Sequence, residues 1–386
     1  MKDNLLIKTN NHLAGKLVFE KSEYIFSYQS QNRDDFISLT MPIREKSYVH
    51  TQLHPIFEMH LPEGYLLSII KKHFAKLVKT DDFGLLNLMA PSINGRVTYE
   101  SPLQIQQYDL SLENLIHPKS EKLFDELIER FALNSPLSGV QPKVLARVEN
   151  KATLKLEQYI VKSWGEEYKE LAINEYFCMQ ALKYAKIPTP EFYLSDDDKL
   201  FIMKRFDIED DGKCLGFEDM CVLQARQRDD KYEGSYEQIA KTITTFVSNK
   251  NKKTSLINFY KMIILNNILQ NGDAHLKNFG LLYDGVENIS LAPAYDVIST
   301  SLYIKNDVPA LHLLGSKKWW DKKFIIRFGM ESCSLTKKEA NDNYDVCVSA
   351  LADVKNEITL RLQYEKNEDK ASVLEHLLEL IKKGEK

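Results

Sequence analysis

The stretch that most restricts this chain is a helix end followed at once by a hairpin. An apolar-periodic segment over 255–270 stops at Asn271 and Gly272, and two β-prone runs follow, 279–283 and 289–292, joined through Asp284 and Gly285. An Asp-Gly pair readily takes the left-handed backbone of a tight turn, so a hairpin is expected. It runs into LAPAYDVIST and delivers Asp296 at the end of its second strand, while Asp273 and Asn278 stand just before its first. Three oxygen-bearing side chains are thereby expected to converge.

Asp273 and Asn278 have the D-x-x-x-x-N spacing of a kinase catalytic loop. Phosphoryl transfer needs a carboxylate to orient the attacking hydroxyl and accept its proton, and an amide oxygen a few residues on can hold magnesium. Read alone, Asn, Gly and Asp after a long helix also make a common stop signal. Asp296 alone also fits the cap of a helix over 297–302. The order joins them: base, amide ligand, hairpin and metal-binding Asp reproduce the logic of a kinase magnesium site. Here Ala294 and Tyr295 precede the Asp and Val297 follows it, where DFG would stand.

Two further features lie upstream. Leu171, Glu175, Cys178 and Leu182 recur at helical spacing and place a carboxylate in an apolar stripe. An ion pair with Lys162, which ends the strand-like run Tyr159, Ile160, Val161, would leave the ammonium facing phosphates. The alternative is a Glu at the core's edge that snorkels to water. The loop SPLSGVQPK precedes two strands, as a phosphate-covering loop should, but Gly139 is its one glycine. Its backbone donors would come from a turn unlike G-x-G-x-x-G, with Lys143 adding charge. As an isolated string it is an ordinary Ser/Pro turn.

A chain of 386 residues exceeds the usual ceiling for one hydrophobic core, so two or three units are expected. A net charge of -4 argues against a chain that coats nucleic acid by itself, and any DNA contact is expected to need a partner. Cys178, Cys214, Cys221, Cys333 and Cys347 are scattered without a CxxC pair, which fits buried thiols in a reducing cytosol. The N-terminus lacks a signal-length apolar core, and the apolar run over 262–269 is broken by Asn266 and Asn267. A cytoplasmic protein with no membrane span is expected.

Strands are expected over 16–20 and 24–28, then a helix over 65–77. A helix beginning at Leu115 or Ser120 and reaching Phe131 leads to the SPLSGVQPK loop, a hairpin of 144–147 and 153–162, a helix over 168–185 and a strand over 200–206. Beyond Gly216 the helical period dominates, with helices over 236–247, 255–270, 337–354 and 372–383. The fold class is therefore α+β, divided into 1–105, 106–215 and 216–386.

Together the strings resemble the HipA family of bacterial kinase toxins over nearly the whole chain. HPIFEMHLPEG and DDFGLLNLMAPSINGRVTY resemble its N-terminal subdomain, SGVQPK its phosphate loop and YIVK the strand bearing its ATP lysine. NEYFCMQAL, KRFD and FEDMC also fit, and NGDAHLKNFGLL with LAPAYDVIST is the most diagnostic pair. The resemblance implies a protein-kinase-like two-lobe fold, with an accessory N-terminal subdomain on a mixed lobe and an α-helical C-terminal lobe. It implies an ATP- and Mg2+-dependent serine/threonine kinase in which Asp273 is the base, Asn278 and Asp296 bind metal, and Lys162 meets the phosphates. Ser138, Gly139, Val140, Gln141, Pro142 and Lys143 would form the phosphate loop. Lys204, Arg205 and Phe206 would line the adenine hinge, and His275, Leu276 and Lys277 would lie in a nucleotide-contacting loop.

The resemblance also implies an aminoacyl-tRNA synthetase as protein substrate, and a HipB-like helix-turn-helix antitoxin through which DNA is met. Family members silence themselves by phosphorylating a loop serine. Here that position falls on Pro136, leaving Ser138 as first and Ser135 as second candidate for autophosphorylation. A phosphate of about -1.5 to -2 charge there would repel nucleotide. Trp319 and Trp320 read as packing between helices, residues 250–253 as a solvated loop, and Leu374, Leu377, Leu378 and Ile381 as one face of a docked helix. The rival readings are a small-molecule kinase and a catalytically silent module in an antitoxin complex.

Overall fold

In the computed structural model the described residues are 4–61, 63, 81–100, 111–120, 123, 127, 143–150, 155–165 and 167–385. The chain divides into two units, 1–163 with 202–230 and 282–287, and 164–201 with 231–281 and 288–386. The expected boundary at 105 falls among residues outside the described ones, as does the expected helix over 65–77.

The first unit holds an antiparallel sheet of β1 (Asn4–Thr9), β2 (His12–Glu20), β3 (Glu23–Tyr28), β4 (Tyr48–His50) and β5 (Val97–Tyr99), in the order β4-β3-β2-β1-β5. Two-residue turns close its first hairpins: Asn10 and Asn11, then Lys21 and Ser22, all at positive φ, the backbone whose twist suits such turns. Alternation puts Leu5, Ile7, Leu17 and Phe26 on one face, packed against Ile56, Phe57 and residues Phe83, Leu86 and Met89 of α1 (Asp82–Met89). Gly15 is required because a Cβ there would lie 2.7 Å from the Phe26 ring. The hairpin Lys143–Asn150 and Lys155–Lys162 pairs in unbroken register, with Lys143 opposite Lys162.

The second unit is mostly helical: α2 (Leu171–Tyr184), α3 (Tyr236–Phe246), α4 (Asn249–Ile268), α5 (Lys322–Ser332), α6 (Lys337–Leu362) and α7 (Glu368–Gly384). Reciprocal caps start two of these, Ser235 with Gln238 and Thr336 with Glu339. An aromatic cluster of Phe259, Phe279, Phe328 and Tyr236 fills the centre, with Phe259 and Phe279 edge to face at 5.4 Å. The α7 face expected to dock is buried at Leu374, Leu377 and Ile381, with Leu378 at its margin. Trp320 packs on Phe324 of α5, a helix the sequence pattern did not announce.

Two expectations are corrected, and one alternative fails. Residues 250–253 form the first turns of α4, not a loop, since Ser248 opens the helix ahead of them. Cys214 is half-exposed, because it lies in a turn held by the Gly212 carbonyl, whereas the other four cysteines are buried. No helix forms over 297–302, so Asp296 is not a helix cap: Asn174 takes the polar groups of Ser299, accepting from its N–H and donating to its C=O, each at 2.8 Å.

Glu339 also takes Lys253 Nζ at 2.9 Å. That bond first, then the Thr336 cap, pulls its carboxyl from 4.5 down to about 2. A depressed folded value means stability present above the ordinary carboxylate range and lost as pH falls toward the folded value. Glu339→Gln is expected to flatten the acid side of a plot of urea midpoint against pH. An acid slope identical to wild type would contradict this.

Candidate functional site

The site grows from the end of α4. The helix stops at Ile268, and Gln270 turns the chain with a φ of 53°. Asn271 then fastens the turn twice: its N–H donates to the Asn266 carbonyl and its amide to Asn266 Oδ1, both at 2.9 Å. Asn271 Oδ1 accepts the Asp273 N–H at 3.1 Å, so the amide that ends the helix also sets the backbone of the catalytic candidate. Gly272 N–H donates to the Thr300 hydroxyl, which also bonds the Asp307 carboxylate. A Cβ at Gly272 would sit 2.3 Å from Asp307 Oδ2, so glycine is demanded by close approach. Burial pushes the Asp307 carboxyl up, opposed by the Thr300 and Val308 hydrogen bonds.

A 3-10 turn, Leu276–Asn278, follows, with the Asn278 N–H donating to the His275 carbonyl at 3.0 Å. The hairpin strands Gly280–Tyr283 and Ile289–Leu291 come next, and Gly285 in the turn has a φ of 70°. Asp296 takes a φ of 59°, a left-handed conformation that Asp tolerates better than most residues and that clusters at functional sites. Tyr295 steadies it by donating its hydroxyl to the Lys277 carbonyl at 2.7 Å.

Asn278 and Asp296 meet directly. The Asn278 amide nitrogen donates to Asp296 Oδ2 at 3.2 Å and to its carbonyl at 3.3 Å. Asn278 is 4% exposed, and its Oδ1 has no hydrogen-bond partner among the described residues. A buried acceptor without a donor is costly, and a cation would satisfy it. Amide and carboxylate oxygens are hard donors of the class that suits magnesium, which takes one or two carboxylates and completes its shell with phosphates and water. Among the described residues no three His, Cys, Asp or Glu gather into a self-sufficient metal site.

Asp273 is 40% exposed at its side chain. Its Oδ1 accepts the Tyr232 hydroxyl at 2.6 Å, and His275 Nε2 lies 3.9 Å away. Burial pushes the His275 imidazole down, against the pull of Asp273, and its ring stands edge against Tyr232. His275 Nδ1 is buried without a hydrogen-bond partner among the described residues.

The remaining candidates are placed as follows. Glu175 on α2 has no exposed surface, which rules out the snorkelling alternative. Lys162, in the first unit, is 2% exposed at the end of its strand. Lys204 pairs with Glu157 at 2.9 Å, Arg205 with Asp207 and with Gln158 Oε1, and Phe206 stands edge to face with Phe217. Ser135, Ser138, Gly139, Val140, Gln141 and Pro142 lie outside the described residues. Sequence reasoning missed Tyr232, Asn271, Thr300 and Asp307. Asn271 stood in view beside Gly272, but nothing in the run DDKYEG marked Tyr232.

The HipA N-terminal domain model matches residues 5–100, and the HipA-like C-terminal domain model matches 135–372. A provisionally named kinase of Sinorhizobium fredii, Y4dM, is 27% identical over 310 residues, 74% of this chain and 71% of its own length. A provisionally named kinase of Haemophilus influenzae is 31% identical over 184 residues, 43% of this chain and 53% of its own. HipA of Shewanella oneidensis MR-1, solved with HipB and operator DNA, superposes with a TM-score of 0.73 at 17% identity, covering 98% of this chain and 97% of that one. That likeness shows the fold.

Proposed function

The chain belongs to the HipA family, and from that membership we propose that it is a kinase transferring the terminal phosphoryl group of ATP to a serine or threonine of a protein. The observation that carries the proposal is the Asn278–Asp296 pair, with the buried amide oxygen left for a cation. Asn278 and Asp296 would hold magnesium there, whose positive charge would offset the negative charge gathering on the transferred group. Asp273 then orients the acceptor hydroxyl and takes its proton as the new O–P bond forms, while the bond to the ADP oxygen breaks and the electron pair leaves with ADP. Lys162 would meet the phosphates, with Glu175 as its proposed supporting carboxylate.

Ser138 to Lys143 would cover the phosphates, Lys204, Arg205 and Phe206 would line the base, and His275, Leu276 and Lys277 would complete the nucleotide pocket. The proposed substrate is a translation component such as an aminoacyl-tRNA synthetase, with growth arrest as the result and autophosphorylation at Ser138 or Ser135 as the brake. A HipB-like antitoxin is the proposed partner, carrying the chain to DNA, as the Shewanella protein is seen with HipB and its operator. No helix among the described residues is long and apolar enough to cross a membrane; the proposed place of action is the cytoplasm.

Incubating the chain with labelled ATP and cell lysate tests this. Label is expected in protein, dependent on magnesium and absent with Asp296→Asn. Label confined to small molecules would favour a metabolite kinase, and no turnover in either form would leave a silent binding module.

A further inference from the structure

We propose that Tyr232 is the positioning residue of Asp273, holding its carboxylate so that one oxygen is fixed and the other faces the acceptor hydroxyl. The assignment rests on the kinase reading above for its role, and on geometry for its existence. Tyr232 Oη donates to Asp273 Oδ1 at 2.6 Å, a short charge-assisted bond. Asp273 Oδ2 accepts no hydrogen bond among the described residues, so the two oxygens differ in kind.

The tyrosine is itself anchored from several sides. Its ring meets the buried His275 ring edge to face at 5.0 Å, and its carbonyl accepts Lys317 Nζ at 3.2 Å. Next to it, the Lys231 carbonyl accepts the Leu276 N–H at 3.0 Å, tying the segment to the catalytic loop. Aspartate has two rotatable side-chain bonds, and Asp273 is part-exposed, so its own packing does not lock it. A donor on a braced aromatic ring does so, and catalytic groups must be held closely to be effective. The bond also accounts for a tyrosine that is 41% exposed, with its hydroxyl turned to the carboxylate.

Tyr232→Phe keeps the ring on His275 and removes only the donor. In the full chain, kcat for phosphoryl transfer is expected to fall roughly ten-fold, as for loss of a hydrogen bond to a charged group, with KM for ATP unchanged. His275, Lys231, Lys277, Tyr236, Asp307 and Asp296 are the other charged or titratable groups around this loop, and the substitution leaves all of them in place. A kcat at or above wild type would overturn the positioning role, and so would a rise in KM for ATP that matches the fall in kcat. A wild-type chain without ATP turnover would count against the kinase reading, while proton NMR of the Tyr232 hydroxyl still decides whether its bond to Asp273 exists in solution.

Discussion

Asp273→Asn is expected to reduce phosphoryl transfer by about 10²–10⁴-fold, the usual contribution of a positioned general base. The substitution keeps size and polarity, so the Tyr232 hydroxyl at 2.6 Å and the Asn271 bond to the Asp273 N–H at 3.1 Å retain a partner. What is lost is the charge that draws the acceptor hydroxyl in and receives its proton. ATP affinity should be nearly unchanged, because the metal-binding candidates are Asn278 and Asp296, which the substitution does not touch. Single-turnover kinetics beside equilibrium ATP binding separate the two. Equal loss of binding and rate would place Asp273 among the nucleotide ligands instead.

Phe279→Ala is expected to destabilise the chain by about 3–5 kcal/mol, the range for removing a buried phenyl ring. Phe279 is 1% exposed and lies between Phe259 at 5.4 Å and Tyr236 at 6.1 Å, so the vacated volume is walled by rigid rings that collapse poorly. Because it directly follows Asn278, its loss should also loosen the loop carrying the site. Chemical denaturation measures the first effect. An unfolding free energy within 1 kcal/mol of wild type would show that the cluster repacks.

How much could be read in advance depended on how local the cause was. The helix stop before Asn271 and the Asp-Gly turn depend on neighbouring residues, and both are found, although the helix ends at Ile268 and Asp296 lies beyond the end of the strand Ile289–Leu291 rather than at it. The burial of Glu175 followed from helical periodicity. The α5 helix escaped because Gly329 interrupts KKFIIRFGMES, and its reason is distant: a Cβ there would lie 2.7 Å from the Tyr260 ring. The alternative of a helix after Asp296 fails for a similar cause, since Asn174, far upstream, satisfies Ser299.

The sequence by itself determined the order of the chemistry-bearing residues and the local turns that present them, because helix ends and tight turns are short-range events. Only the tertiary structure decided that Asn278 faces Asp296 with an acceptor to spare, that Asp296 takes a left-handed backbone, and that Tyr232, 41 residues before Asp273, reaches its carboxylate. Those are consequences of packing between distant segments, and no local periodicity encodes them.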